Sequence, residues 1–271
     1  MLKVVSNNLG HSFKMGRKRS VARGPRLVLK NYLRTTMPAH PQAADYTVAA
    51  KDVLSQVLGN SSLGDCTTAA AFHIVGTMLA NAGQHPTWDL QSQVVPFYSA
   101  TSGYIPGKPS TDNGANEVDV LNYWQNYGLL RDGTHKILAW VAVDPSDRDE
   151  IETAIWLFEN VYFGIEMPES WVTPCPTHSG FIWDVYGGPN PDNGHAFSGH
   201  GYNNGGVKIA TWGMLGTLTW AAIEKYATHA DGGELYTVLS ADSIMNATTK
   251  APNGLDILQL TDDIRMLHGG T

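Results

Sequence analysis

The chain has 271 residues, of which 42% are hydrophobic and 16% charged, a balance typical of a globular protein with a substantial core. No stretch approaches the roughly 18 apolar residues of a membrane span. The N-terminus lacks a signal-peptide apolar region, and two cysteines are too few for a disulfide framework. We therefore expect no membrane segment and a cytoplasmic or virion-associated protein.

The formal net charge of −7 is unevenly distributed. Residues 1–44 contain nine of the 18 Lys and Arg residues and no Asp or Glu. We predict that residues 1–45 form a basic, extended arm, with a short strand at 26–33, on an acidic body. Such an arm docks on its own body, on a second copy or assembly partner, or on nucleic acid. Nucleic acid is disfavoured because the arm is short and nearly lacks stacking aromatic residues.

Turn-rich residues 58–65 lead into a helix predicted from Cys66 to about residue 82, which places one cysteine in the first turn. There the unpaired N–H groups and the helix dipole favour a thiolate, the reactive form of cysteine. A small buried residue is the alternative, since free cysteine is often buried. A second helix is predicted over 87–104. A third, capped by Asp112 or Asn113, is predicted to end at residue 127.

Most of the predicted strands lie in the second half of the chain, over 136–143, 161–165, 195–202, 206–212 and 235–239. Helices are predicted over 147–159, 220–227 and 258–267. Asn203-Asn204-Gly205 is a strong hairpin signal between two of these strands. Residues 171–193 form a long loop rich in Pro, Gly and aromatic residues, which either lines a binding wall or packs on itself.

Nucleophilic cysteine catalysis needs a thiolate, a base, a group that orients the base, and donors for the oxyanion. His195 lies 129 residues after Cys66 and begins the predicted hairpin. Gly194-His195-Ala196-Phe197, Gly201-Tyr202 and Thr211-Trp212-Gly213 resemble the histidine-bearing hairpin of papain-like cysteine peptidases. Asn113-Gly114-Ala115 resembles the Asn-Gly-Gly loop of the same family.

The resemblance extends over about residues 60–213 and implies a divergent, bacterial or phage-encoded member of this superfamily. It implies an α+β fold with two lobes within residues 46–271: a helical lobe of about 46–135 and a β-rich lobe of about 136–271. The activity implied is that of a cysteine hydrolase, which cleaves a peptide or amide bond through a thioester at Cys66 with His195 as acid and base. In this family an inhibitory pro-segment crosses the cleft, and the arm is a candidate for that role.

Other site residues are implied by the same motifs. Asn60 stands where the family has its oxyanion-hole glutamine, with a side chain one methylene shorter, and the Cys66 N–H would be the second donor. Thr211 falls at the place of the orienting asparagine. The triad is therefore expected to be a dyad with a weaker orienting hydroxyl, or to use Asp192 or Asn193 instead.

Trp212 would shield the imidazole, and Gly114 and Ala115 would line the substrate groove. We predict no cofactor and no metal, because the sequence has no CxxC or HExxH pattern and His73 suits a core position. Cys175, in a loop flanked by prolines, is expected to be a free surface thiol.

The sequence leaves a second class of function open. In this class, a papain-like fold is kept as a structural or binding component of an assembly such as a phage particle, with little or no turnover. The basic arm and the weakened third catalytic position favour this class, whereas Cys66, His195 and Trp212 together favour an enzyme. A cell-wall amidase with the same chemistry ranks lower, because no wall-binding repeat is present.

Overall fold

The longest helix lies in the first half of the chain and most of the long strands lie in the second. The structure is a computed structural model that describes residues 2–20, 26–251 and 253–267. The α-helices are α1 (Lys51–Leu54), α2 (Cys66–Asn81), α3 (Val95–Ser102), α4 (Glu117–Tyr127), α5 (Arg148–Phe158), α6 (Trp220–Tyr226), α7 (Ala241–Lys250) and α8 (Ile257–Leu267). The strands are β1 (Val4–Ser6), β2 (Ser12–Lys14), β3 (Arg17–Lys18), β4 (Ala44–Asp45), β5 (Ala115–Asn116), β6 (Ala139–Ala142), β7 (Val161–Glu166), β8 (Phe181–Trp183), β9 (Gly194–Asn203), β10 (Gly206–Thr211), β11 (Met214–Thr219) and β12 (Glu234–Leu239).

One large sheet organises the second half of the chain. Its strand order is β6-β12-β7-β9-β10-β11-β8, and β4 also pairs with β9. The neighbours are antiparallel except for β11 and β8, which run parallel. The predicted hairpin between β9 and β10 is confirmed, and Asn203 Oδ1 accepts the Gly205 N–H at 2.7 Å.

Two hydrophobic clusters form the core, and the large sheet contributes to both. Tyr162 and Phe163 are consecutive in β7, yet Tyr162 packs with the α2 residue Phe72 and Phe163 packs in the other cluster. Such alternation follows from the two-residue period of a strand. The predicted α+β fold, with a helical lobe and a β-rich lobe, is therefore confirmed.

The N-terminal residues pack on the rest of the same chain. Strands β1 and β2 pair with each other, and β3 pairs in parallel with β5. Val5, Phe13 and Met15 are buried within the larger core cluster. The strand predicted at 26–33 is wrong: Leu29–Tyr32 is a 3₁₀-helix, because the residues at its two ends both face the core, a spacing that suits a helical turn.

The start of α4 differs from the prediction. The helix begins at Glu117, and Asn116 caps it by accepting the Asp119 N–H at 2.9 Å. Asp112 does not cap the helix because its carboxylate accepts hydrogen bonds from Tyr98 Oη at 2.5 Å and from the Gly64 N–H at 3.1 Å. The helix predicted over 87–104 is a π-helical turn, Leu90–Val94, followed by α3.

Candidate active site

Cys66 is the first residue of α2, and it is only 1% exposed. Burial raises the pKa of its thiol to about 12, and the charges of Asp65 and Glu117 act in the same direction. The backbone N–H groups of Ala196 and Gly16 face the sulfur and oppose this rise in pKa. In this structure Cys66 is therefore held as a neutral thiol.

His195 lies in β9 opposite Ile165 of β7, and its ring is fully buried. Its Nε2 is 2.7 Å from Thr211 Oγ1, whereas its Nδ1 is buried with no hydrogen-bond partner. Burial lowers the pKa of the imidazole to about 3. The ring is therefore neutral, with Nε2 hydrogen-bonded to Thr211 and Nδ1 without a hydrogen-bond partner.

The Trp212 ring lies beside this imidazole, with 4.7 Å between the ring centroids. Trp212 has φ of 54°, in the left-handed region that side chains other than glycine rarely adopt. Such strain persists where the surrounding structure fixes it, and it clusters at functional sites. The indole covers His195 at the tight turn between β10 and β11.

Helix α2 packs against strand β9. Cys66 and Ala196 belong to the same core cluster, and the Ala196 N–H faces the sulfur. Because Ala196 directly follows His195, the thiol lies beside the strand position that carries the imidazole. His195 contacts both Thr211 and Trp212, and the Cys66 sulfur lies at the next position along β9.

Of the three candidates for the orienting residue, Thr211 is the one that hydrogen-bonds the imidazole. Asp192 is exposed. Asn193 is buried, and its amide donates to the Met167 carbonyl at 3.1 Å and to Glu169 at 3.0 Å. Among the described residues, no hydrogen bond links Asp192 or Asn193 to His195, and Asn193 Oδ1 is buried without a partner.

Asn60 faces the N-terminal arm. Its Nδ2 donates to the carbonyl of Lys14 at 3.0 Å and to that of Leu63 at 3.2 Å. The main-chain carbonyl of Asn60 accepts the Lys14 N–H at 2.9 Å. The amide that resembles an oxyanion donor is thus bonded to the arm backbone.

The arm segment of residues 13–18 passes over the cysteine. The Gly16 carbonyl accepts the Ala115 N–H at 3.0 Å, which joins the arm to the predicted substrate loop. Gly114, at φ +73°, lies so close to Gly16 that a Cβ there would overlap the Gly16 carbonyl. On the other side Phe13 stacks on Trp212, with 4.8 Å between ring centroids and 14° between planes. The arm therefore fills the groove between the lobes.

Sequence reasoning missed a buried charge cluster next to this groove. Arg17 Nε is 3.2 Å from Glu117 Oε2, and an Arg17 terminal nitrogen is 3.4 Å from Glu234 Oε1. Two members of the cluster could have been noticed from the sequence, because Arg17 lies in the basic arm and Glu117 follows the predicted substrate loop. Nothing local in the sequence connects Glu234 with them.

Most of the residues that were weaker candidates for function lie in the core. His73 is buried with Nε2 at 2.9 Å from the Gln56 carbonyl, and burial lowers its pKa to about 4, which confirms a core histidine. The expectation for Cys175 is wrong, because this thiol is buried at 1% exposure. In the long loop Trp171 and Trp183 stack on each other at 5.0 Å and join the core, whereas Tyr186 is exposed.

Two absences hold for the part of the chain that the structure describes. No group of three or more His, Cys, Asp or Glu side chains is arranged to hold a metal ion. No helix there combines the length and apolar character needed to cross a membrane.

Comparison with known proteins identifies the fold. No protein-family model and no curated protein sequence matches the chain. Xylellain, a cysteine protease from Xylella fastidiosa, superposes with a TM-score of 0.65 and 14% identity over 89% of this chain and 99% of its own. Digestive procathepsin L 3 from Tenebrio molitor larval midgut gives 0.55 and 15% over 82% and 76%. The ragweed pollen allergen Amb a 11, a cysteine protease in its proform, gives 0.55 and 14% over 80% and 71%.

Identities this low carry information about the fold and not about the activity. The chain has the papain-like fold that the cysteine and histidine motifs of residues 60–213 predicted.

Proposed function

We propose that the protein is a papain-like cysteine hydrolase that cleaves a peptide or amide bond, with Cys66 as nucleophile and His195 as acid and base. The observation that carries this proposal is the junction of α2 and β9. The Cys66 sulfur faces the Ala196 N–H, and the adjacent His195 has Nε2 held by Thr211 and Nδ1 without a partner. A buried nitrogen without a partner needs an explanation, and a general base beside a nucleophile supplies one.

Acylation would begin with attack of the Cys66 sulfur on the substrate carbonyl carbon, while the thiol proton passes to His195 Nδ1. The oxyanion would accept hydrogen bonds from the Cys66 N–H, which lies in the first helical turn, and from the Asn60 amide. As the C–N bond breaks, His195 returns the proton to the leaving amine and a thioester remains. Water then attacks the thioester, His195 takes its proton, and the sulfur leaves when the C–S bond breaks.

The arm would make this form of the protein latent. The Gly16 N–H faces the sulfur, Asn60 is bonded to Lys14, and the pKa values of both Cys66 and His195 are displaced toward the neutral forms. Displacement of the arm would admit water to the site. The pKa of Cys66 would then fall and that of His195 rise, because burial is the largest cause of both shifts. Two of the similar structures, a procathepsin and a proform, are consistent with such a latent form.

The test is alkylation of the two cysteines by iodoacetamide across pH, with Cys66 and Cys175 read separately by mass spectrometry. Gly16→Val is the release variant, because a Cβ at Gly16 would overlap the Gly64 carbonyl and force the arm away. Gly188→Val is the matched control, since nothing lies within 4 Å of the Cβ position at Gly188. Cys175 serves as the internal control in each variant.

We expect Cys66 to react slowly in the wild type and in Gly188→Val. In Gly16→Val it should react at least about 100-fold faster at pH 7, because the thiolate fraction rises tenfold for each unit by which the pKa falls. His195→Ala in the same background should remove most of that gain. If Cys66 of Gly16→Val reacts no faster than in the wild type, or as slowly as the buried Cys175, the proposal is contradicted.

The second candidate function is a scaffold with little or no turnover, in which residues 1–45 contact an assembly partner. The bonds between the arm and Asn60 and Ala115 favour it, since a permanently covered site needs no catalysis. Turnover of a peptide mixture by Gly16→Val, lost in Cys66→Ser, would exclude this candidate.

A further inference from the structure

Arg17 extends from the arm into a closed pocket beside the cysteine groove. Its side chain is 0% exposed, as is that of Glu117. Nε donates to Glu117 Oε2 at 3.2 Å and one terminal nitrogen donates to the Gly232 carbonyl at 2.7 Å. The other terminal nitrogen is buried without a hydrogen bond and forms an ion pair with Glu234 Oε1 at 3.4 Å. Two hydrogen bonds and an ion pair in different directions suit the planar fork of arginine.

Both lobes build this pocket. Glu117 is the first residue of α4, whereas Glu234 is the first residue of β12. Gly164 of β7 forms the floor, and a Cβ at that position would lie 2.7 Å from Arg17 Nε and would overlap Glu117. The absence of a side chain at residue 164 is what leaves room for the guanidinium.

The carboxylates need a cation. Burial raises the pKa of Glu117 well above its usual range, Arg17 opposes that shift, and Glu117 Oε1 is buried with no hydrogen-bond partner. The two oxygens of Glu234 accept the Ser20 N–H at 2.8 Å and the Ser20 hydroxyl at 2.7 Å, and Tyr236 lies 3.3 Å away. Departure of the arm would remove Arg17 and Ser20 together, leaving two buried carboxylates that attract a positive charge.

The pocket adjoins the proposed nucleophile. Gly16 is the arm residue whose N–H faces the Cys66 sulfur, and Arg17 is the next residue along the chain. Glu117 is close enough to Cys66 for its charge to raise the pKa of the thiol. A peptide that replaced the arm would therefore present to this pocket a side chain within about one residue of the one at the sulfur.

We propose that Glu117 and Glu234 form the specificity pocket of the enzyme and select an arginine side chain of the substrate next to the cleaved bond, with Arg17 as its occupant in the latent form. This inference rests on the proposed function for its use in catalysis, although recognition of the guanidinium does not depend on turnover. Arginine should be preferred over lysine, because a single ammonium nitrogen cannot at once take the place of Nε beside Glu117 and of the terminal nitrogen beside the Gly232 carbonyl. An uncharged side chain would leave the Glu117 carboxylate without the guanidinium donor and should be rejected most strongly.

The first test measures binding alone. Arg17→Ala empties the pocket in the full chain, and calorimetry then follows binding of side-chain compounds small enough to enter beneath the arm: propylguanidinium as the arginine compound, butylammonium as the lysine compound and butanol as the norleucine compound. Lys18→Ala is the matched control, an exposed basic residue adjacent on the same arm. Glu117→Gln and Glu234→Gln are each added to Arg17→Ala, with the exposed Glu224→Gln as their control. Arg17→Gln, which keeps a side chain of similar reach without the charge, is used if the alanine variant does not fold.

We expect saturable binding of the arginine compound to the emptied pocket and none to Lys18→Ala, in which Arg17 still occupies it. The lysine compound should bind at least about tenfold more weakly, and either pocket Glu→Gln change should weaken arginine binding by about tenfold or more. Equal binding of the arginine and norleucine compounds, or no binding of any, would overturn the inference.

The second test separates the inference from the proposed function. Gly16→Val is given internally quenched peptides in which one arginine, lysine or norleucine is moved through successive positions, and mass spectrometry locates the cut. Cleavage at a constant offset from arginine, with rates at least about 100-fold above norleucine, supports both proposals. Cleavage that ignores the arginine overturns the pocket and leaves the hydrolase standing. Arginine binding in the first test without any cleavage overturns the hydrolase and leaves the pocket standing.

Discussion

Two histidines of the same strand, His195 and His200, are both fully buried, and burial lowers the pKa of each to about 3. Each also has Nε2 beside a hydroxyl, at 2.7 Å from Thr211 for His195 and 2.8 Å from Ser198 for His200. They differ at the other nitrogen. His200 Nδ1 is 3.0 Å from the Glu159 carbonyl, whereas His195 Nδ1 has no partner.

This difference shows what distinguishes a catalytic candidate from a core histidine. Burial and a shifted pKa are common to both rings and therefore cannot identify the working one. The unpartnered Nδ1 of His195 does set the two rings apart, and on the proposed function a base needs such a free position to receive a proton. Four experiments exploit this contrast.

The largest expected effect is on turnover. In the Gly16→Val background, His195→Asn should reduce kcat by about 10³-fold, in line with the loss of a general acid and base. His200→Asn should lower the free energy of unfolding by about 1–3 kcal/mol through the buried groups it leaves unpaired. Its kcat per folded molecule should stay within about threefold of the background. Peptide hydrolysis, normalised to the folded fraction, measures kcat for both variants. Equal losses of kcat in the two variants would contradict the proposed difference between the two histidines.

The next effect is on titration. Release of the arm by Gly16→Val should raise the pKa of His195 from about 3 toward or beyond its ordinary 6.5, since water then reaches the ring. His200 should remain near 3, because burial sets its pKa and the groups that act on it, Glu159, His73 and Asp45, lie outside residues 13–18 of the arm. Nitrogen-15 NMR of the imidazoles against pH reports both values. A His195 that still titrates near 3 in Gly16→Val would show that the arm is not what keeps it neutral.

The orienting hydroxyls give a smaller effect. Thr211→Val keeps the shape of the side chain and removes the hydroxyl beside His195, so kcat should fall about tenfold in Gly16→Val. Thr211→Asn should recover part of it, because an amide oxygen can accept from the ring. The corresponding change beside His200, Ser198→Ala, should alter stability by about 1 kcal/mol and leave kcat unaffected. The pH dependence of kcat is the second readout, since a positioning role should shift it and a purely structural loss should not.

The smallest effect is on stability against pH, and here the two histidines should behave alike. An unfolded histidine binds a proton below pH 6.5, whereas each folded ring does so only near pH 3. The unfolded state therefore holds more protons in this window, and stability falls as the pH is lowered through it. Each histidine contributes about 1.4 kcal/mol per pH unit. Urea unfolding at pH 6.5 to 4 should show a shallower slope in His195→Asn and His200→Asn alike.

Much of the site could be predicted from sequence because its signals are local. Cys66 at a helix start, His195 at a hairpin strand, and the Trp212-Gly213 turn each lie within a few residues of the turn or element that positions them. The hairpin signal at residues 203–205 fixed the neighbour of β9, and with it the approach of Thr211 to the imidazole.

The path of the arm could not be predicted in the same way. Arg17 contacts Glu117 and Glu234 across sequence separations of 100 and 217 residues, and pairings of that range leave no periodic pattern. Strand β3 has only two residues, too few for any alternation to register. The sequence indicated that the arm could cross the cleft, but it did not indicate which residues of the arm lie over Cys66.

The hydrogen bond from the Ala115 main chain to the Gly16 carbonyl has an evolutionary consequence. On the proposed function, the latent form and the active form use the same peptide groups, and only a substitution by proline removes a main-chain donor. During evolution, the latent state can therefore be weakened mainly by substitutions in the arm itself.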